Sequence, residues 1–270
     1  QVDYKAKGLE RYILPGRAYQ TPARWIGLDP WFESNVQILS GSKLILGVKT
    51  TPEEYRLWTE RANSPPKEEH YGKFADFAVS LRRYCPWAVE LYNEPDVPWE
   101  HTEDPLFYGG WIKSRDDNYY EAGLRYGEFT RAVYTTIKAS GLNVIGGALS
   151  GSRASLEFAQ GMRDAGFAAD YVSFHTYITM TEDFDKGFNY SMELQDILDR
   201  PLIWNETNLL GDGGQEHRKR QAEYMRYVRE QSPWSDIAVL LWYSFNNWWW
   251  WHCGLIENGA PTPAYAEWAE

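Results

Sequence analysis

The chain has 270 residues, with 27 Lys+Arg against 38 Asp+Glu and a formal net charge of −11. Hydrophobic residues at 43% and charged residues at 24% describe a globular chain with a real core, not a disordered one. No apolar run approaches the roughly 20 residues of a membrane span, and so acidic a chain without a basic stripe argues against nucleic acid as a partner.

In chain order, residues 3–8 read as the end of a helix, and strands are expected at 9–14, 43–49, 88–93, 143–149, 171–177, 202–206 and 237–245. These runs are continuously apolar rather than alternating, the mark of parallel strands covered on both faces. Amphipathic stretches lie between them. Residues 71–84 align Phe74, Phe77, Ala78 and Leu81, and residues 120–140 align Phe129, Val133 and Ile137, with Gly141 placed to end that helix. Residues 154–165 and 215–230 are two more, and the basic cluster at 217–220 reads as a solvated helix start. Strand–helix alternation without a linker predicts one α/β domain over 1–270. The size suits a (β/α)8 TIM barrel. Seven clear strands stand against the eight of a closed barrel, so the first β/α unit is expected to be missing or irregular.

Polar residues emerge at the ends of four strands. The run Ala88-Val-Glu-Leu-Tyr-Asn-Glu-Pro-Asp96 delivers Asn93 and Glu94, with Pro95 placed to stop the ladder. Leu202-Ile-Trp-Asn-Glu206 delivers Glu206, Tyr171-Val-Ser-Phe-His-Thr-Tyr177 delivers His175 and Tyr177, and the last strand delivers Trp242. In a parallel barrel all these ends open on one face, where active sites occur. Two carboxylates converging there suit glycoside hydrolysis, in which one holds a proton while the other is ionised. Taken singly, each Glu also fits a salt bridge or a helix cap.

Asn-Glu-Pro after an apolar strand, Ser173-Phe-His-Thr-Tyr177 on a later strand and a Glu ending the next resemble clan A glycoside hydrolases. The set is most similar to the β-xylosidase and α-iduronidase-like branch or to cellulase-type enzymes. The similarity runs from about Gly8 to Trp268 and includes Gly47-Val-Lys-Thr-Thr-Pro52 and the stretch from Gly254 to Tyr265. It implies a (β/α)8 barrel and a retaining mechanism on a β-linked glycoside or polysaccharide, with Glu94 as acid/base and Glu206 as nucleophile. Asn93 would bond the sugar 2-hydroxyl, His175 and Tyr177 would orient Glu206, and Trp242 would floor the pocket. The family's Arg beside the nucleophile finds its match in Arg17.

The 14 Trp, 19 Tyr and 11 Phe exceed what a core alone requires, and rings stack on sugar faces. The connection from 95 to 120 carries Trp99, Trp111 and further aromatic residues. Trp248 and Trp249 open a run of four Trp that reads either as a sugar platform or as a self-packed loop. No cofactor is expected, and no metal: the five His are scattered without a His-Glu-x-x-His. Cys85 and Cys253 are expected as distant free thiols. No leader pattern is read at Gln1, as in a processed chain, and a secreted location is favoured over a cytoplasmic one. A carbohydrate is the expected partner, without nucleic acid or membrane, and the oligomeric state is open. The competing reading is a non-catalytic carbohydrate-binding barrel derived from a hydrolase.

Overall fold

The structure is a computed structural model. It describes residues 9–13, 43–48, 51–59, 63–84, 86–98, 110–114, 117–212, 214–231, 237–242, 256–257, 260–261 and 263. For 9–13, 43–44, 206, 208, 237–242, 256–257 and 260–261 it describes the backbone. Seven parallel strands pair in chain order: β1 (Leu9–Ile13), β2 (Lys43–Val48), β3 (Ala88–Leu91), β4 (Asn143–Leu149), β5 (Tyr171–Thr179), β6 (Leu202–Leu210) and β7 (Ile237–Trp242). Five helices follow β2 to β6 in turn: α1 (Tyr71–Ser80), α2 (Tyr119–Ala139), α3 (Arg153–Asp164), α4 (Asp185–Leu198) and α5 (Gln215–Gln231). A short antiparallel pair, β8 (Ile256–Glu257) and β9 (Ala260–Pro261), comes after the sheet. The architecture is the expected TIM-barrel one; the expectation about the first unit falls on residues 14–42, between β1 and β2, which lie outside the described residues, as do Cys85, Cys253 and residues 3–8.

The continuous apolar runs have the cause anticipated for them, because alternate residues enter two different cores. Val89, Val144, Phe174 and Trp204 pack outward against the helices with Phe74, Phe129 and Phe158. Ile45, Ala88, Ile145 and Ile203 form a separate cluster inside the sheet's curve, flanked by Trp87 and Tyr171. Such filled layers make the lumen of this architecture a core rather than a pore.

Helices α2 and α3 cross at very short range. A Cβ on Gly123 would stand 2.0 Å from the Phe158 carbonyl oxygen, and one on Gly161 would stand 2.1 Å from that of Tyr120. Replacing a mid-helix Gly by Ala ordinarily gains about 1 kcal/mol. Here overpacking should cost about 1–3 kcal/mol and reverse the sign. Gly123→Ala is therefore expected to lower Tm, whereas Gly72→Ala, with open space around its Cβ position, should leave Tm unchanged or raise it.

One expectation is corrected, and two features were not fixed by the sequence. Helix α4 is absent from the sequence reading; it buries Phe188, Ser191, Leu194 and Leu198, and it ends at Asp199 in the left-handed region (φ 49°) with no glycine to announce the stop. The basic cluster at 217–220 is not simply a solvated start: His217 and Arg218 are buried, His217 donating from Nε2 to the Leu209 carbonyl at 2.9 Å and Arg218 to Gln221 at 3.1 Å. Trp111, grouped with the aromatic residues of the active-face connection, is fully buried core, edge-on to Tyr92 and Tyr126 at 5.4 and 4.9 Å between ring centres.

Candidate active site

The ladder of β3 ends at Leu91, two residues before its expected end, because Tyr92 turns left-handed (φ 66°), as does Glu94 (φ 46°). Positive φ is uncommon for side-chain-bearing residues and persists only where the surroundings over-determine it. Four ties do so here. Gly147 N–H donates to the Tyr126 oxygen at 2.8 Å while the Tyr126 hydroxyl donates to the Leu91 carbonyl, so one ring on α2 clamps the ends of β3 and β4. The Thr51 hydroxyl donates to the Ser64 carbonyl at 2.6 Å and so accepts from the Tyr92 hydroxyl. Glu94 N–H donates to the Ala148 carbonyl at 2.8 Å. Asp96, fully enclosed, accepts from Ser150 N–H at 3.0 Å, from the Ser150 hydroxyl at 2.8 Å and from the Ser155 hydroxyl in the first turn of α3.

Burial pushes the Asp96 carboxyl above the ordinary carboxylate range, with the hydrogen bonds from Ser155 and Ser150 opposing it. The folded state therefore holds this proton more tightly than the unfolded chain. That contribution is complete below the unfolded pKa of about 3.9 and is lost as pH rises through the folded value. Asp96→Asn, which removes the titration, should cost most Tm near pH 4 and progressively less at higher pH. A cost that grew with pH would show that the hydrogen bonds outweigh burial.

The carboxylate of Glu94 lies 2.7 Å from His175 Nδ1, with its side chain 11% exposed and the imidazole completely enclosed. His175 stands on β5 edge-on to Tyr177, their rings 6.1 Å apart. The sequence points to His175 as orienting Glu206, whose side chain lies outside the described residues; the structure adds Glu94 as a partner of the imidazole. The strand register bears on Glu206 as well. In the β5–β6 register Phe174 pairs with Trp204, and then His175 pairs with Glu206, so Asn205 is an extra residue on β6. Such a bulge re-aims the residues that follow it and is over-represented beside active sites. It brings Glu206 level with the imidazole that holds Glu94. Strand β6 also runs on to Leu210 rather than ending at Glu206.

Asn93 is buried next to Glu94, and Tyr177 is partly exposed. Trp242 ends β7 with its backbone paired to Thr207. Arg17, Trp248 and Trp249 lie outside the described residues, as do the side chains of Glu206 and Trp242.

Solved structures share this arrangement of strands and helices. A family 39 glycoside hydrolase from Bacteroides cellulosilyticus WH2 matches with a TM-score of 0.63 at 16% identity, over 96% of this chain and 56% of that one. A monomeric β-xylosidase from Caulobacter crescentus CB15 matches at 0.59 and 19%, over 89% and 56%. A family 128 (subgroup I) endo-β-1,3-glucanase from Amycolatopsis mediterranei, in complex with laminarihexaose, matches at 0.52 and 13%, over 85% and 82%. This chain has the fold of those glycoside hydrolases. It is the fold implied by the resemblance to clan A enzymes, although the chain spans only 56% of the length of the first two. No protein-family model and no curated protein matches it.

Within this glycoside-hydrolase fold, two acids near the site escaped the sequence reading. Glu90, four residues before Glu94, is buried on the lumen side of β3 and accepts at Oε1 from the Ser173 hydroxyl of β5 at 2.8 Å and from the Asn205 amide of β6. The signal was available: a charge inside an apolar strand needs hydrogen-bonding partners. Asp96 was likewise passed over, although an acid just past Pro95 cannot be core without donors around it.

Proposed function

We propose that this protein is a retaining β-glycoside hydrolase. The observation that carries the reading is the 2.7 Å bond between Glu94 and His175, with His175 level with Glu206 on the next strand. It supports two carboxylate positions at neighbouring points of the C-terminal face, where this architecture places its chemistry. Glu94 protonates the leaving oxygen while the Glu206 carboxylate attacks the anomeric carbon. Glu94 then takes a proton from water, which releases the glycosyl-enzyme. An enclosed imidazole on Glu94 suits a group that must give and regain one proton in each turnover. Asn93 bonds the sugar 2-hydroxyl, Tyr177 and Arg17 contact the substrate beside Glu206, and Trp242, Trp248 and Trp249 offer stacking surfaces. The substrate class is a β-linked glycoside of glucose or xylose type, as the names of the structural neighbours suggest.

Aryl β-glucosides and β-xylosides with laminari- and xylo-oligosaccharides form the test set, with the first-formed anomer read by NMR. A β product supports the reading, and an α product replaces retention by inversion. Binding without turnover in the parent protein would favour the carbohydrate-binding barrel.

A further inference from the structure

Glu90 takes no part in the proposed chemistry, yet it is an enclosed acid in the middle of the sheet's interior. The layer on its N-terminal side is apolar: Ala88 on the same strand packs with Ile45, Ile145 and Ile203. A residue needed only to fill space there would be another aliphatic one, since well-packed apolar replacements of buried polar groups are often neutral or stabilising. What the carboxylate supplies is an acceptor. Through Oε1 it reaches past β4 to Ser173 on β5 and to Asn205 on β6. Ser173 is two residues before His175 on the same face, and Asn205 is the extra residue of the bulge that brings Glu206 level with His175. The three strands joined at this oxygen are the three that carry Glu94, His175 and Glu206.

We propose that Glu90 is a positioning residue whose carboxylate oxygen, through Ser173 and Asn205, sets the heights of His175 on β5 and Glu206 on β6 relative to Glu94 on β3. The proposal rests on the hydrolase reading for its effect on rate, but not for its effect on geometry. Because the role is that of an acceptor, an amide oxygen can fill it and a methyl group cannot.

The experiment compares the parent with Glu90→Gln, Glu90→Leu and Ser173→Ala. One readout is the proton NMR signal of the hydrogen bond between His175 and Glu94, assigned by its loss in Glu94→Ala. The other is kcat and KM on an aryl β-glycoside. Glu90→Gln should keep the signal in place and kcat close to parental. Glu90→Leu should displace or broaden the signal and lower kcat by about 100-fold with KM unchanged, the scale of a misplacement of about 1 Å. Should Glu90→Leu not fold, Ser173→Ala breaks the tie to β5 from the other side and must displace the same signal. A folded Glu90→Leu, or Ser173→Ala in its place, with an unmoved signal and parental kcat overturns the proposal. So does a Glu90→Gln as damaged as Glu90→Leu, which would point to charge rather than position. If the parent hydrolyses no glycoside, the hydrolase reading fails, and the proton signal alone still decides the positioning role.

Discussion

Glu94→Gln should lower kcat on unactivated glycosides by about 10²–10⁴-fold, the usual contribution of a positioned general acid and base. The amide keeps the volume and can still bond His175, so KM and Tm should stay near those of the parent. The loss should depend on the leaving group. An aryl glycoside whose phenol leaves without a proton needs no acid in the first step, so its glycosylation should be nearly spared and the glycosyl-enzyme should accumulate as a burst. Azide added to Glu94→Ala should restore turnover and give a β-glycosyl azide, because a small anion attacks without a base. Glu206→Gln should be inactive on all substrates and unresponsive to leaving-group quality. A Glu94→Gln enzyme that kept a tenth or more of parental kcat on every substrate would remove the acid/base assignment.

Trp111→Ala should cost about 3–5 kcal/mol of stability, a large share of the roughly 5–15 kcal/mol of a typical domain. The indole is fully buried against Tyr92, Tyr126 and Phe129. Two of those rings are the ones whose hydroxyls hold the turn that carries Glu94. Activity should therefore fall well below the unfolding temperature, as the vacated space lets Tyr92 and Tyr126 relax. Trp111→Phe, with less volume lost, should recover most of both. Urea unfolding monitored beside kcat checks this. A Trp111→Ala protein as stable as the parent would mean that the indole is exposed after all.

What was legible follows from which signals are local. The starts of β2 to β6 were readable because an apolar run begins there whatever its partner, and Gly141 announced the end of α2 by its left-handed backbone (φ 89°). The end of β3 was not readable, since Tyr92 carries no residue-type mark of a left-handed turn; long-range hydrogen bonds impose it. The same holds for Asp199, which ends α4 without a glycine, and α4 was missed with it. In the site, Glu94 stood out because Asn-Glu-Pro is contiguous. Glu90 did not, because its partners Ser173 and Asn205 lie 83 and 115 residues away and only the curvature of the sheet brings them together. Trp111 stayed open in the sequence because an aromatic residue in a connection reads the same whether it faces a sugar or a core.

The apolar cluster of Ile45, Ala88, Ile145 and Ile203 has a consequence for traffic through the proposed reaction. Among the described residues it fills the sheet's interior at the N-terminal end with apolar side chains, so water is expected to enter the proposed site from the C-terminal face. Incoming water and the departing alcohol would then share one doorway. The alcohol has to clear it before water can reach the anomeric carbon, and any sugar hydroxyl that settles there meanwhile competes for the same glycosyl group. The division between hydrolysis and transfer is then decided by the residues that rim the doorway, which tune how long the first alcohol lingers, and not by the two carboxylates.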